Sequence, residues 1–394
     1  VSDAVPPVVQ IAMVASLSVY AAGLLWFWRG ARRGQRPVTV ETDSVSLVSV
    51  VVAARNEGEQ IEACLRGLAA QDYPTDRYEI VLVDDGSTDG TGTTATDVAT
   101  ELSRDGARVT VLNGPSAYGA QGSKKAALAL GISRCGGEIV LTTDADCTVP
   151  NGWVRSMVTQ FSAQTGAVIG FSQIGVPGTA APWLARWEGL DFLQLMTAAA
   201  GSCAQGHPMA ASGQSLGFRR QAFDEVGGYA GVRHRVSGDD VLLLQLIRRT
   251  GRWQIRFCGE RQGRVVHPPS PGLRSLLSRR ARWASNAPLQ LRLDPLFFSY
   301  MVATFGTSLG LLVGLVLGVM GVLPVGIVGA LWGAKIIGEG ALAVTGARRF
   351  ERLDLLRVLP SWFLLQPLYT VAVGLVGPLG FFRWKGRRVG LGRR

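Results

Sequence analysis

An α/β fold, with a doubly wound and mostly parallel sheet, joined to transmembrane α-helices, is what this sequence predicts. Between residues 41 and 270 short apolar runs alternate with helix-like stretches. Long apolar runs flank that region, one at 9–28 without charge and others filling 295–382. Each central apolar run also ends in a polar, often acidic, cluster.

The run at 9–28 has the length of a spanning helix and no charge. Its aromatic end, Trp26 to Trp28, suits a membrane interface, and Arg29, Arg32, Arg33 and Arg36 after it place that end in the cytoplasm. A signal peptide would carry its basic cluster first. Strands follow at 46–54, 78–83, 107–112 and 138–143, with helices around 57–70, 90–104 and 123–133 between them. Continuously apolar strands separated by helices make a parallel sheet covered on both faces. Such sheets bind ligands beyond the carboxyl ends of their strands. At 181–196 Trp183, Trp187 and Leu190 share a helical face with Gln194, which suits either an acceptor contact or core packing. An interfacial amphipathic helix is expected over 271–294, with Leu273, Leu276, Leu277, Ala284 and Ala287 on one face and Arg274, Arg279 and Arg282 off it. Apolar segments at 295–318, 321–345 and 358–382 complete the chain. In the second of these Lys335 and Glu339, four apart, are expected to pair. In the last, Pro360, Pro367 and Pro378 predict a broken or re-entrant segment that returns to the cytoplasm. The division is thus 1–40 (helix and basic linker), 41–270 (cytoplasmic α/β domain), 271–294 (interfacial helix) and 295–394 (membrane region).

A formal net charge of +11 could point to nucleic acid. The arginines, however, concentrate beside the apolar segments, where anionic lipid head groups lie, so the expected partner is a multi-pass cell membrane and not nucleic acid. Cys64, Cys135, Cys147, Cys203 and Cys258 have no metal-ligand spacing and read as reduced structural thiols. His207, His234 and His267 show no zinc spacing either. His267, in VVHPPSP ahead of the interfacial helix, is the one to follow.

The strand ends read RNEGE at 55–59, DDGSTDG at 84–90 and DADC at 144–147. Ser87, Thr88 or Asp89 can cap the helix after the second, which leaves adjacent Asp84 and Asp85 unexplained. Gly90, Gly92 and Ala95 fit a loose dinucleotide fingerprint, but three aspartates precede them and would repel a pyrophosphate. Asp144 and Asp146, one residue apart, suit a hard divalent cation, Mg²⁺ or Mn²⁺, shared with a ligand's phosphates. Capping of the next helix is the plainer alternative. Asp239 and Asp240 likewise precede a helix.

Taken in order, VVAARNE (51–57), VLVDDGSTDGT (81–91), GSKKAAL (122–128), DADC, SGQSLGFRRQAFDEVGGY (212–229), GDD (238–240) and RRARW (279–283) resemble the motifs of inverting family-2 membrane-bound glycosyltransferases. The resemblance implies a fold of the nucleotide-sugar transferase type. It implies that Ala53, Glu57, Asp84 or Asp85 and Lys124 hold the donor nucleotide and that Asp144 and Asp146 bind the metal. It implies Asp240 as general base, with Asp239 helping at the acceptor. Arg279 stands where the family usually has glutamine, and Arg282 and Trp283 border the acceptor or reach a phosphate. The expected reaction is transfer of one sugar from a nucleotide-diphosphate donor, a UDP-sugar ahead of a GDP-sugar, to a lipid at the cytoplasmic face. A processive polysaccharide synthase, and a non-catalytic scaffold or transporter with a degenerate domain, are the alternatives.

Overall fold

A computed structural model describes residues 7–35, 46–115, 123–178, 181–233, 235, 237–379, 382–384 and 387–389. Arg36, Gly122, His234 and the end of the basic tail at 390–394 lie outside them.

Helix α1 (Pro7–Arg33) comes first. The domain then runs β1 (Val48–Ala54), α2 (Ile61–Ala69), β2 (Tyr78–Asp84), α3 (Thr91–Arg104), β3 (Val109–Asn113), α4 (Lys124–Arg134), β4 (Ile139–Asp144), α5 (Trp153–Val158), β5 (Thr165–Gly170), β6 (Ser172–Ile174) and α6 (Trp183–Ala204). It closes with β7 (Leu216–Arg219), α7 (Arg220–Glu225), α8 (Val241–Arg249), β8 (Gln254–Cys258) and β9 (Val265–His267). Seven strands form one sheet in the order β3-β2-β1-β4-β7-β5-β8, in which only β7 runs antiparallel to its neighbours. β6 and β9 form a small parallel pair beside it. Alternate residues of one strand serve opposite faces. Val48, Val50 and Val52 join a core with Ile61, Leu65 and Leu68 of α2, whereas Val51 joins Leu128 and Ile132 of α4. Both faces are therefore covered, which is why these strands are apolar throughout.

Where one interfacial helix was expected over 271–294 there are two, α9 (Leu273–Ala284) and α10 (Ala287–Leu293), broken at Ser285 and Asn286. Leu273, placed on the apolar face by its spacing, is 57% exposed, while Arg280 and Ala281 are buried with Leu276. The helix docks on protein: Arg280 pairs with Asp191 of α6 and stacks 4.3 Å above the Trp283 ring.

Three long helices follow: α11 (Pro295–Val319), α12 (Val325–Arg349) and α13 (Leu359–Val376), then a short hairpin of β10 (Phe382–Trp384) and β11 (Arg387–Val389). Four stretches, Ile11–Arg33, Pro295–Val319, Val325–Arg349 and Leu353–Val376, are long and apolar enough to cross a membrane. α1 and α6 cross at Gly30 and Gly201, where a β-carbon on either would overlap a carbonyl oxygen of Gly201 or Phe27; small residues permit such close approach. Arg349 Nη1 donates to the Ala31 carbonyl at 2.6 Å, and Phe350 stacks on Phe171 at 3.9 Å, joining α12 to α1 and to the sheet. Lys335 pairs with Glu339, which also accepts a hydrogen bond from Tyr20 of α1. α13 is one helix with Pro367 inside it, not two broken pieces. Leu355, just before it, packs on Gly189 of α6, and Gly377, just after it, lies against Ala281 and Ala284 of α9. Both ends thus meet elements packed on the α/β domain.

Candidate active site

Register brings the strand ends together: Ala53 stands beside Val83 and Asp144, and Ala54 beside Asp84. The loop after β1 turns at Asn56, whose φ of 53° lies in the left-handed region that asparagine tolerates. Its N–H donates to Ser87 Oγ and its side-chain oxygen accepts from Thr88 N–H, both at 2.9 Å. Glu57 N–H donates to Thr91 Oγ1 at 2.8 Å. These bonds fix the first two loops on each other.

The two adjacent acids after β2 part company. Asp84 accepts from the Ser87 N–H at 3.1 Å and from its hydroxyl, closing the turn. It is not among the residues lining the cavity, so as a donor-binding candidate it gives way to Asp85. Asp85 does line it, with Arg55 Nη1 3.7 Å away. The N-cap of α3 is Gly90 and not Ser87, Thr88 or Asp89; Asp89, one residue earlier, accepts from the Thr91 N–H at 3.1 Å.

The cavity, of about 520 Å³, is lined by Ala53, Glu57, Asp85, Lys124, Asp144, Asp146, Asp239, Asp240, Arg279, Arg282 and Trp283. All the site candidates except Asp84 are therefore gathered in one place. Lys124 follows Ser123, which caps α4 by accepting from Ala126 N–H at 3.2 Å. Its ammonium lies 2.5 Å from Asp144 and 2.9 Å from Asp239. Asp144 and Asp146 do not cap α5, which begins after Gly152 with no side-chain cap. Their carboxylate oxygens and the Cys147 sulfur lie within 4.8 Å of one another. His267 Nε2, from β9, is 3.3 Å from Asp146. Carboxylates so grouped suit Mg²⁺ or Mn²⁺, with the imidazole as a further nitrogen donor.

Asp240 does cap α8, its Oδ1 accepting from Val241 N–H at 2.6 Å, and its Oδ2 accepts from Gly213 N–H at 2.9 Å. A β-carbon on Gly213 would stand 3.0 Å from Asp239 Oδ2 and 3.1 Å from Lys124 Nζ, so a larger residue would crowd this pair. Burial, and then the charge of Asp239 beside it, push the Asp240 carboxyl up to about 6. Burial opposes the charge of Asp239 too, but Lys124 and Lys125 outweigh it and hold that carboxyl low. Lys125, 2% exposed, donates to the carbonyls of Arg235 and Ser237 at 2.6 and 2.7 Å, and burial lowers its pKa to about 8. The arrangement sets a carboxyl of raised basicity and the Asp144–Asp146–His267 group on one cavity, which suits acid–base chemistry beside a divalent cation.

Arg274, Arg279 and Arg282 of α9 line the cavity, so this helix forms part of its wall. Burial pulls the pKa of Arg282 below its usual value, with Asp239, Asp144 and Asp240 opposing. Trp187 packs against Tyr369 with ring centroids 5.1 Å apart, which is core packing, while Trp183 is 48% exposed. His207 lies elsewhere, 3.0 Å from Asp294. Sequence reasoning quoted Arg55, Gly213 and Lys125 within its motifs but gave them no role; for His267 the only signal was its position before α9.

The cavity thus gathers acids, Lys124, His267 and four arginines at the carboxyl edge of a mostly parallel sheet, where such sheets bind their ligands. The chain belongs to the glycosyl transferase family 2 group: residues 139–374, more than half its length, match Glycosyl transferase family group 2, and residues 49–227 match Glycosyl transferase family 2. Among similar proteins, the glycosyltransferase AglE of Haloferax volcanii is 27% identical over 51% of this chain and 60% of its own length. The β-monoglucosyldiacylglycerol synthase of a Synechocystis species is 28% identical over 60% of this chain and 47% of its own. The chain thus spans about half to three fifths of the length of these curated relatives. The mannosyltransferase PcManGT of Pyrobaculum calidifontis, solved with GDP-Man and Mn²⁺, has the same fold (TM-score 0.62, 22% identity, 94% of this chain and 98% of that one).

Proposed function

We propose that this protein is a membrane-anchored, metal-dependent, inverting glycosyltransferase that moves one sugar from a nucleoside-diphosphate donor to a lipid at the cytoplasmic face. The observation that carries the reading is the convergence of Asp144, Asp146 and His267 with Lys124 and the Asp239–Asp240 pair on one cavity roofed by α9. Asp144, Asp146 and His267 would hold Mg²⁺ or Mn²⁺, which when bound neutralises charge developing on a diphosphate leaving group. Lys124, Arg279 and Arg282 add positive charge on the same side. A diphosphate so neutralised needs no proton from an acid, unlike the alkoxide released by a glycosidase. One base then suffices. Asp240 takes the proton of the acceptor hydroxyl as its oxygen attacks the anomeric carbon opposite the diphosphate, which inverts that carbon. Glu57 and Asp85, near Ala53, are assigned to the nucleoside.

A lipid acceptor is supported by the exposed Leu273 beside the cavity-lining Arg274, by the four long apolar helices, and by a relative named as a glucosyldiacylglycerol synthase. Drawing a lipid into water costs about 0.8 kcal/mol per CH₂, so the site has to come to the membrane. Transfer of single sugars is favoured over polymer synthesis by the relative named as a monoglucosyldiacylglycerol synthase. The deciding experiment supplies UDP- and GDP-sugars to membranes containing the protein, with Mg²⁺ or Mn²⁺, and reads extracted lipids by mass spectrometry. A metal-dependent mass gain of one sugar is expected. Labelled polymer, or free sugar alone, would refute the reading.

A further inference from the structure

Helix α6 carries two buried carboxylates within one turn, Glu188 and Asp191, in an otherwise apolar stretch. Each meets one of two consecutive arginines of α9. Asp191 pairs with Arg280, which is buried over the Trp283 ring, and accepts from Tyr369 of α13 at 3.4 Å. Glu188 Oε1 lies 3.5 Å from Nη1 of Arg279, which faces the cavity. Glu188, 1% exposed, also accepts from Ser270 N–H at 2.7 Å and from its hydroxyl at 2.9 Å. It thereby pins the turn that starts at His267. His267 closes the chain of contacts, with Nδ1 3.4 Å from Arg279 Nη1 and Nε2 3.3 Å from Asp146.

We propose that Glu188 is a positioning residue for the donor's phosphates: it fixes Arg279 and the His267 turn together against Asp146 before any nucleotide arrives. The inference rests on the cavity being a nucleotide-sugar site. A free arginine loses rotamer freedom when it closes on a phosphate; one braced from behind by a carboxylate has lost it already. A carboxylate this buried is kept only where it is paired. Of its partners, Ser270 would be satisfied by a neutral amide, so the charge itself serves Arg279.

The test is calorimetric titration of the full-length protein in detergent with UDP and with GDP, each with MnCl₂. Glu188→Gln, which keeps an acceptor for Ser270, is expected to weaken nucleotide binding about tenfold, as loss of a supporting residue behind a ligand group commonly does. Arg279→Gln with Glu188→Gln should bind no more weakly than Arg279→Gln alone, because the two act in series. Asp191→Asn, which unfastens Arg280 from the same helix, is expected to lower the Tm and leave the nucleotide Kd unchanged. Should Glu188→Gln fail to fold, Glu188→Asp keeps the charge and withdraws it from Arg279, and a loss of affinity is again expected. Unchanged affinity in the Glu188 variants, or losses that multiply in the double variant, would overturn the proposal while the wild-type titration still stands. Absence of nucleotide binding by the wild type would instead overturn the cavity assignment, and this inference with it.

Discussion

Asp146 and Asp240 face the same cavity from opposite loops, and their chemistry should separate cleanly. Asp146→Asn is expected to abolish metal-dependent nucleotide binding. Asp240→Asn should leave that binding intact and cut lipid transfer by about 10²–10⁴-fold, the range for losing a general base. Equal loss of nucleotide affinity in both, measured by calorimetry, would contradict the division of roles. The raised Asp240 carboxyl also sets a pH dependence of opposite sign for activity and stability. A base must be ionised, so transfer should fall as pH drops through about 6. Between its ordinary 3.8 and about 6 the folded protein binds this proton more tightly than the unfolded chain, so charging Asp240 costs stability as pH rises through that window. Asp239, held low, stays ionised there and does not mask the effect. Asp240→Asn should flatten both trends, as initial rates and thermal unfolding between about pH 4 and pH 7 would reveal. Asp146 was legible in the sequence because it stands just after an apolar run, and Asp240 because it opens a helix in the expected motif order. Which of Asp84 and Asp85 enters the cavity was not, since neighbours on a strand point to opposite faces and both read as the same residue type. Glu188 was less legible still: its partner Ser270 lies 82 positions away.

Among elements, β1 to β4 and the helices between them were readable from apolar runs alternating with helical stretches, whereas β5, β7 and β8 were not read as strands and the buried face of α9 was misplaced. Its spacing put the leucines inward, yet Arg280 is buried, because Asp191 and the Trp283 ring supply what water would have given it. No pattern within 271–294 could announce partners that come from α6. The crossing of α1 with α6 is testable at the same scale. Gly201→Leu would force a side chain onto the Phe27 carbonyl, and overpacking of this kind costs about 1–3 kcal/mol. Thermal unfolding in detergent should show the loss, whereas Gly231→Ala, at a position open around its α-carbon, should not.

For the whole molecule, the arrangement of α13 bears on topology. With both of its ends against α6 and α9, the helix is expected to enter and leave on the side of the α/β domain, which would put the basic C-terminal tail in the cytoplasm as its charge favours. A cysteine appended after Arg394 should then resist an impermeant maleimide added to intact cells and react once they are opened. The five native cysteines are all buried and should give little background. Reaction in intact cells would refute the arrangement.

The interlocked glycines of α1 and α6 also mean that the N-terminal helix is no mere leash. Gene halves split between Gln35 and Ser46 should yield two polypeptides that find each other in the bilayer and purify as one enzyme. A foreign anchor of equal hydrophobicity, tied on through the same linker, would hold the domain at the membrane without rebuilding it.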